Sequence, residues 1–174
     1  MRGSTVILVS LLTLPLPAAS QTVTLPAHPD DKSGFEDRPP EGLFISIVMA
    51  HGQELVMGKY RSYEIVPVKP SKTFSADVPE IFVVFQVHPH YSPYQVFGRW
   101  IVEKGEGAPA DFLLGTDTMY LALEDDSGYV SMKRPSTGWP VGDYKVEIHV
   151  GMKITDISQV GTLRFKVLPP KTAS

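Results

Sequence analysis

Cysteine is absent from all 174 residues of the chain. That absence excludes disulfides, zinc held by thiolates, a cysteine nucleophile and lipid attachment through a cysteine. Basic charge is also in short supply: 16 Lys and Arg stand against 19 Asp and Glu, a formal net charge of -3 at pH 7. A nucleic-acid partner would need Lys and Arg clustered on one face, and no such footprint exists. No window carries a sustained helical period with caps. No Gly-x-Ser-x-Gly, His-Glu-x-x-His or phosphate-cradling glycine loop occurs, so the sequence is read as non-enzymatic. Long apolar runs are missing too: the longest, TVILVSLLTLPLP, is too short to cross a bilayer as a helix.

That run has another reading. Arg2 precedes it, and Ala18-Ala19-Ser20 follows with small residues where a signal peptidase reads them. Residues 1–20 are therefore expected to be a signal peptide, cleaved before Gln21. The product would be periplasmic or secreted, with no stable membrane insertion after cleavage. The short signal and the missing cysteines suit a bacterial exported protein. Residues 21–42 are rich in Pro, Asp and Gly and read as a flexible leader. A single β-sandwich domain is expected over 43–168, with a tail at 169–174 that begins Pro169-Pro170.

Within 43–168, short β-branched and aromatic runs recur between turn signals. In DYKVEIHV, Tyr144, Val146, Ile148 and Val150 alternate with Lys145, Glu147 and His149. In TLRFKV, Leu163, Phe165 and Val167 alternate with Thr162, Arg164 and Lys166. Each such strand has one buried and one wet face, which places His149 in solvent. EIFVVFQV and QVFGRWIVE read as greasier strands, and others are expected at 43–50, 62–68, 118–124 and 129–133. Leu43, Ile45, Ile47 and Met49 fall in one inward phase. The runs TMYLALE and YVSMK, separated by DDSG, read as a hairpin with Gly128 left-handed. The fold class expected is an antiparallel, all-β sandwich of seven to eight strands.

The densest motif is WPVGDY. Tyr144 opens the best-alternating strand directly after Pro140 and Gly142, with Trp139 placed to cap the core. A Tyr here fills a corner with its ring while its hydroxyl satisfies a backbone group. With Trp100 in an earlier strand, this stretch resembles the tyrosine corner and core Trp of immunoglobulin-like and fibronectin-type sandwiches, over roughly residues 70–168. The inter-sheet cysteine pair of antibody domains is missing, so antigen-receptor function is not implied. The run FxxDxPEI at 74–81, then GRW, then RPxxGWPVGDYKV, is similar to small exported bacterial proteins of unassigned function. That likeness implies fold and compartment and carries no catalytic residues.

Two surfaces carry chemistry. Tyr91, Tyr94, Phe97 and Arg99 lie close together and are types favoured where proteins meet, so they form the expected binding surface. His88 and His90, with His51 and soft Met49 and Met57 nearby in sequence, are the alternative: a copper or zinc site of a metal-handling protein. Glu124-Asp125-Asp126 lacks the alternating oxygen ligands of a calcium loop and reads as a turn. Glu103, Glu106 and Asp111 flank a Gly/Pro loop that reads as a solvated connection. The leading expectation is a contact module without cofactor, whose partner is another exported protein or a cell-envelope component.

Overall fold

The computed structural model describes residues 42–58 and 62–170. The expected signal peptide, the leader up to residue 41 and the tail beyond Pro170 lie outside the described residues. The described chain forms nine strands: β1 (Phe44–Met57), β2 (Tyr63–Pro70), β3 (Thr73–Ser75), β4 (Glu80–Val87), β5 (Tyr94–Gly105), β6 (Phe112–Leu121), β7 (Ser127–Lys133), β8 (Gly142–Gly151) and β9 (Gln159–Leu168).

They divide into a four-stranded sheet, ordered β2-β1-β4-β7, and a five-stranded sheet, ordered β3-β9-β8-β5-β6. Strands consecutive in sequence thus fall in different sheets at β2–β3, β3–β4, β4–β5, β6–β7 and β7–β8, and crossings between sheets are a feature of immunoglobulin-like sandwiches. Two corrections to the expected fold follow. There are nine strands rather than seven or eight, and the larger sheet is mixed, because β3 runs parallel to β9. Three residues are too few for an alternating pattern to show, and a period of two does not report strand direction.

Between the sheets, Ile81, Val83 and Phe85 of β4 meet Trp100, Val146, Ile148 and Phe165 of the facing sheet. Each fully buried side chain of this size contributes about 1.5–3 kcal/mol. Val146, two residues after Tyr144, stands where antibody domains carry the second cysteine, and it is fully buried. Packing alone fills the position of the missing bridge.

β1 departs from the expected phase. A register shift between Phe44 and Ser46 turns Phe44 inward and leaves Ile45 54% exposed, while Ile47 and Met49 stay buried. Further along, Ala50 pairs with both Phe82 of β4 and Pro70 of β2. Yet Ile65 donates its N–H to Ser127 Oγ at 2.8 Å, and the Gln86 amide donates to the Glu64 carboxylate. Gln86 and Ser127 lie at the opposite end of β4 and β7 from Phe82. The β1–β2 hairpin therefore turns back across the outward face of the smaller sheet, which accounts for Val84, on that face, being buried.

The hairpin expected at DDSG is not formed. β6 pairs with β5 and β7 with β4, so residues 122–126 cross between sheets. Asp125 Oδ2 accepts the N–H of Ala122 at 2.7 Å and closes this turn. Gly128 is inside β7 without a positive φ. Its missing side chain serves close packing instead: a Cβ there would meet Met119 Sδ at 2.5 Å and Phe85 Cε2 at 2.8 Å.

Candidate functional site

The corner is built from WPVGDY as a unit. The Tyr144 hydroxyl donates to the Pro140 carbonyl, and its ring stacks on Phe165 with centroids 5.0 Å apart. Trp139 meets the same ring edge-on and donates Nε1–H to Val78 O at 3.0 Å. Gly142 is required by a backbone crossing: a Cβ would lie 2.0 Å from the Lys104 carbonyl oxygen. Burial pushes the Tyr144 phenol up to about 12, so it is a neutral donor at any ordinary pH. Trp100 is wholly buried, and its Nε1 has no hydrogen-bond partner among the described residues. The groove beside Tyr144, about 570 Å³, is lined by charged residues such as Lys72, Glu103, Arg164 and Lys166 and by no histidine.

The outward face of the larger sheet is laced with ion pairs. Arg164 holds Glu103 through two bonds of 2.8 and 2.9 Å, and Arg99 Nη1 meets Glu147 Oε2 at 3.1 Å. Lys145 lies 3.4 Å from Glu147 and 3.6 Å from Asp111, and Lys166 lies 3.2 Å from Asp143. Such partly exposed pairs contribute about 0–1 kcal/mol each. Glu103 belongs to β5, the strand that QVFGRWIVE was expected to form. Burial raises its carboxyl above the usual range, and Lys145 opposes that rise.

His149 is the clearest reversal on this face. Expected in solvent, it is buried, because the short 3₁₀ turn Asp156–Ser158 folds over it. Ser158 Oγ lies 3.0 Å from its Nδ1 and also accepts the Thr155 N–H at 2.8 Å. Burial lowers the imidazole below its ordinary value, with Glu147 opposing the shift.

The four residues of the expected binding surface do not share one environment. Phe97 and Arg99 lie on the outward face, where Phe97 pairs with His149 and Thr118 and Arg99 is held by Glu147. Tyr94 is half-buried, its ring 5.7 Å from that of His90. Tyr91 is 96% exposed at a loop tip. Nor do the histidines form one group. His88 donates its N–H to Leu43 O, while His51 lies eight residues further along β1, on the order of 25 Å away at the rise of a strand. His51 Nδ1 lies 2.9 Å from Lys69 O, its ring against Phe74, and His90 has both nitrogens near carbonyls, of His88 and of Ala122. Among the described residues no three His, Asp or Glu side chains gather as a metal ion would need.

What the strand registers do gather is loops. Residues 88–93, 122–126 and 152–158 all emerge at one end of the sandwich, since β4, β6 and β8 finish there. Each loop carries large apolar side chains in water: Tyr91, Leu123 at 54%, Met152 at 84% and Ile157 at 96% exposure. At the corner end, the described loops 76–79, 106–111 and 134–141 carry no exposed large apolar side chain. Leu123, Met152 and Ile157 escaped the sequence reading, which sought apolar residues in alternating strands. Their signal was large apolar residues inside turn-rich stretches such as GMKITDIS.

No family model and no curated protein matches the chain. Among solved structures it is similar to an immunoglobulin-like protein from Pseudomonas aeruginosa, at 8% identity and a TM-score of 0.39, covering 75% of this chain and 100% of that one. A likeness at that level carries no argument about activity, and the immunoglobulin-like fold stands on the sheet order, the crossings and the tyrosine corner.

Proposed function

We propose that the protein is an exported, non-catalytic contact module that engages another exported protein or a cell-envelope component through the loop end of its sandwich. The observation that carries this reading is the one-sided placement of Tyr91, Leu123, Met152 and Ile157 on three neighbouring loops. Apolar side chains held in water at loop tips gain most when a partner covers them. The rim supports a basic partner surface: Glu124, Asp125, Asp126 and Asp156 stand there against Lys153 alone in the same loops. Export is supported by the N-terminal sequence pattern, and the absence of catalysis by the motifs the chain lacks.

The test is site-specific photocrosslinking in the compartment where the protein resides. A photoreactive side chain at position 91 or 157 gives a discrete adduct, and one at position 162, on the sheet face, gives none. Binding of that partner falls in a variant carrying Tyr91→Ser, Met152→Ser and Ile157→Ser, whose thermal midpoint stays near that of wild type. A variant that keeps its adduct and affinity sinks the reading.

A further inference from the structure

Four strand edges border the two sheets, those of β2, β7, β3 and β6. An edge strand offers unpaired N–H and C=O groups to any strand that approaches, and folded proteins guard such edges by recognisable means. Three of the four are guarded here. β2 contains Pro67 and Pro70, and the N–H of Ile65 is taken by Ser127 Oγ. β7 has its N–H groups occupied by side chains reaching from the other sheet: Ser131 N donates to Asp117 Oδ2 at 2.7 Å and Tyr129 N to Met119 Sδ at 3.2 Å. β3 is only three residues long.

β6 is guarded more lightly: a bulge at Leu114 interrupts its register with β5, and its charge points inward, but no proline, short length or outward charge protects the stretch beyond the bulge. Its ten residues, FLLGTDTMYL, contain no Pro, Lys or Arg. Their one charge, Asp117, is turned toward β7, and Met119 with it. Thr116, Thr118 and Tyr120 fill the outward row and are exposed, and Phe112 and Leu113 are 47% and 43% exposed at the start of the strand. The strand that guards the edge of β7 thus carries no charge on its own outward row and is uncovered among the described residues.

We infer that β6 pairs antiparallel with β6 of a second copy, joining two five-stranded sheets into one. Antiparallel pairing of a strand with itself is self-complementary about a two-fold axis, so it closes at a dimer and leaves no further β6 edge open. The outward row brings threonine and tyrosine against the same types, favourable cross-strand neighbours with no like charges opposed. Size sets the strength. The regular edge beyond the bulge, residues 115–121, is about 23 Å long and a sheet with its side chains about 10 Å deep, a strip of about 230 Å² per copy. A standard interface takes about 800 Å² per partner, so the dimer is weak and concentration-dependent. The two loop ends point away from each other, which leaves both tip clusters free.

Sedimentation equilibrium of the purified protein from about 1 to about 500 µM is the test. A reversible monomer–dimer equilibrium is expected, unweakened by added salt because no outward charge of β6 is involved. Thr118→Lys, which places the guard that the strand lacks, weakens it about tenfold or more, whereas Thr118→Ser does not. Circular dichroism melting confirms that both variants fold. Because the chain has no cysteine, Thr118→Cys, at the centre of the self-paired row, gives a disulfide-linked dimer on mild oxidation, and Thr162→Cys, at the far side of the sheet, does not. A monomer throughout the range, a Thr118→Lys dimer as tight as wild type, or equal linkage at both cysteines overturns the inference.

Discussion

The phenol of Tyr144 is a donor in a place where ionisation is expensive. Its hydroxyl proton goes to the Pro140 carbonyl four residues back, and its ring is packed between Trp139 and Phe165. Tyr144→Phe keeps the ring and strands the carbonyl, so urea denaturation should show a loss of about 1–3 kcal/mol. The alkaline limb tests the same bond. With the folded value raised to about 12 from 10.0, Tyr144 ionises more readily in the unfolded chain. Its contribution is complete below pH 10 and is lost as pH rises from there through 12. Thermal midpoints should fall across that window in wild type and fall less in Tyr144→Phe, which has nothing to ionise.

At the scale of elements, β8 and the loop that follows it are joined through His149. Its Nδ1 faces Ser158 Oγ, which also holds the Thr155 N–H, so one imidazole organises the turn that presents Ile157. Charged groups near the ring are Glu147, Arg99 and Asp156, and burial outweighs them, leaving its folded pKa below the ordinary 6.5. The neutral ring's stability is therefore present above pH 6.5 and lost as pH falls below it, because the unfolded chain takes up the proton first. Melting from pH 7.5 down to 5 should show that decline in wild type and a smaller one in His149→Gln. Alternation gave the direction of this side chain correctly, outward from the core, but not its cover, since a turn nine residues away supplies it. The same limit applied to β6 and β7. Both strands were legible from their β-branched and aromatic residues, but DDSG looked like a hairpin because local pattern does not say which sheet a strand joins. WPVGDY was legible as a corner because ring, hydroxyl, proline and glycine act within six residues. The loop tips were not, because their proximity depends on the register of six strands.

For the whole molecule, the two ends of the sandwich use apolar residues for opposite purposes. At one end Trp139, buried to 4% exposure, closes the core; at the other, Ile157, 96% exposed, touches mostly water. Removing a buried aromatic creates a cavity as well as losing its transfer energy, whereas removing an exposed side chain leaves nothing unfilled. Trp139→Ala should therefore cost about 3–5 kcal/mol, and Ile157→Ser less than about 0.5 kcal/mol. Urea midpoints measured with an unchanged denaturant slope separate the two. Partner binding should show the inverse order, with Ile157→Ser the more damaging of the two in any population that remains folded. Equal stability losses at the two sites would mean that the loop end is held together by its apolar tips, and those tips would then belong to the core and not to a partner.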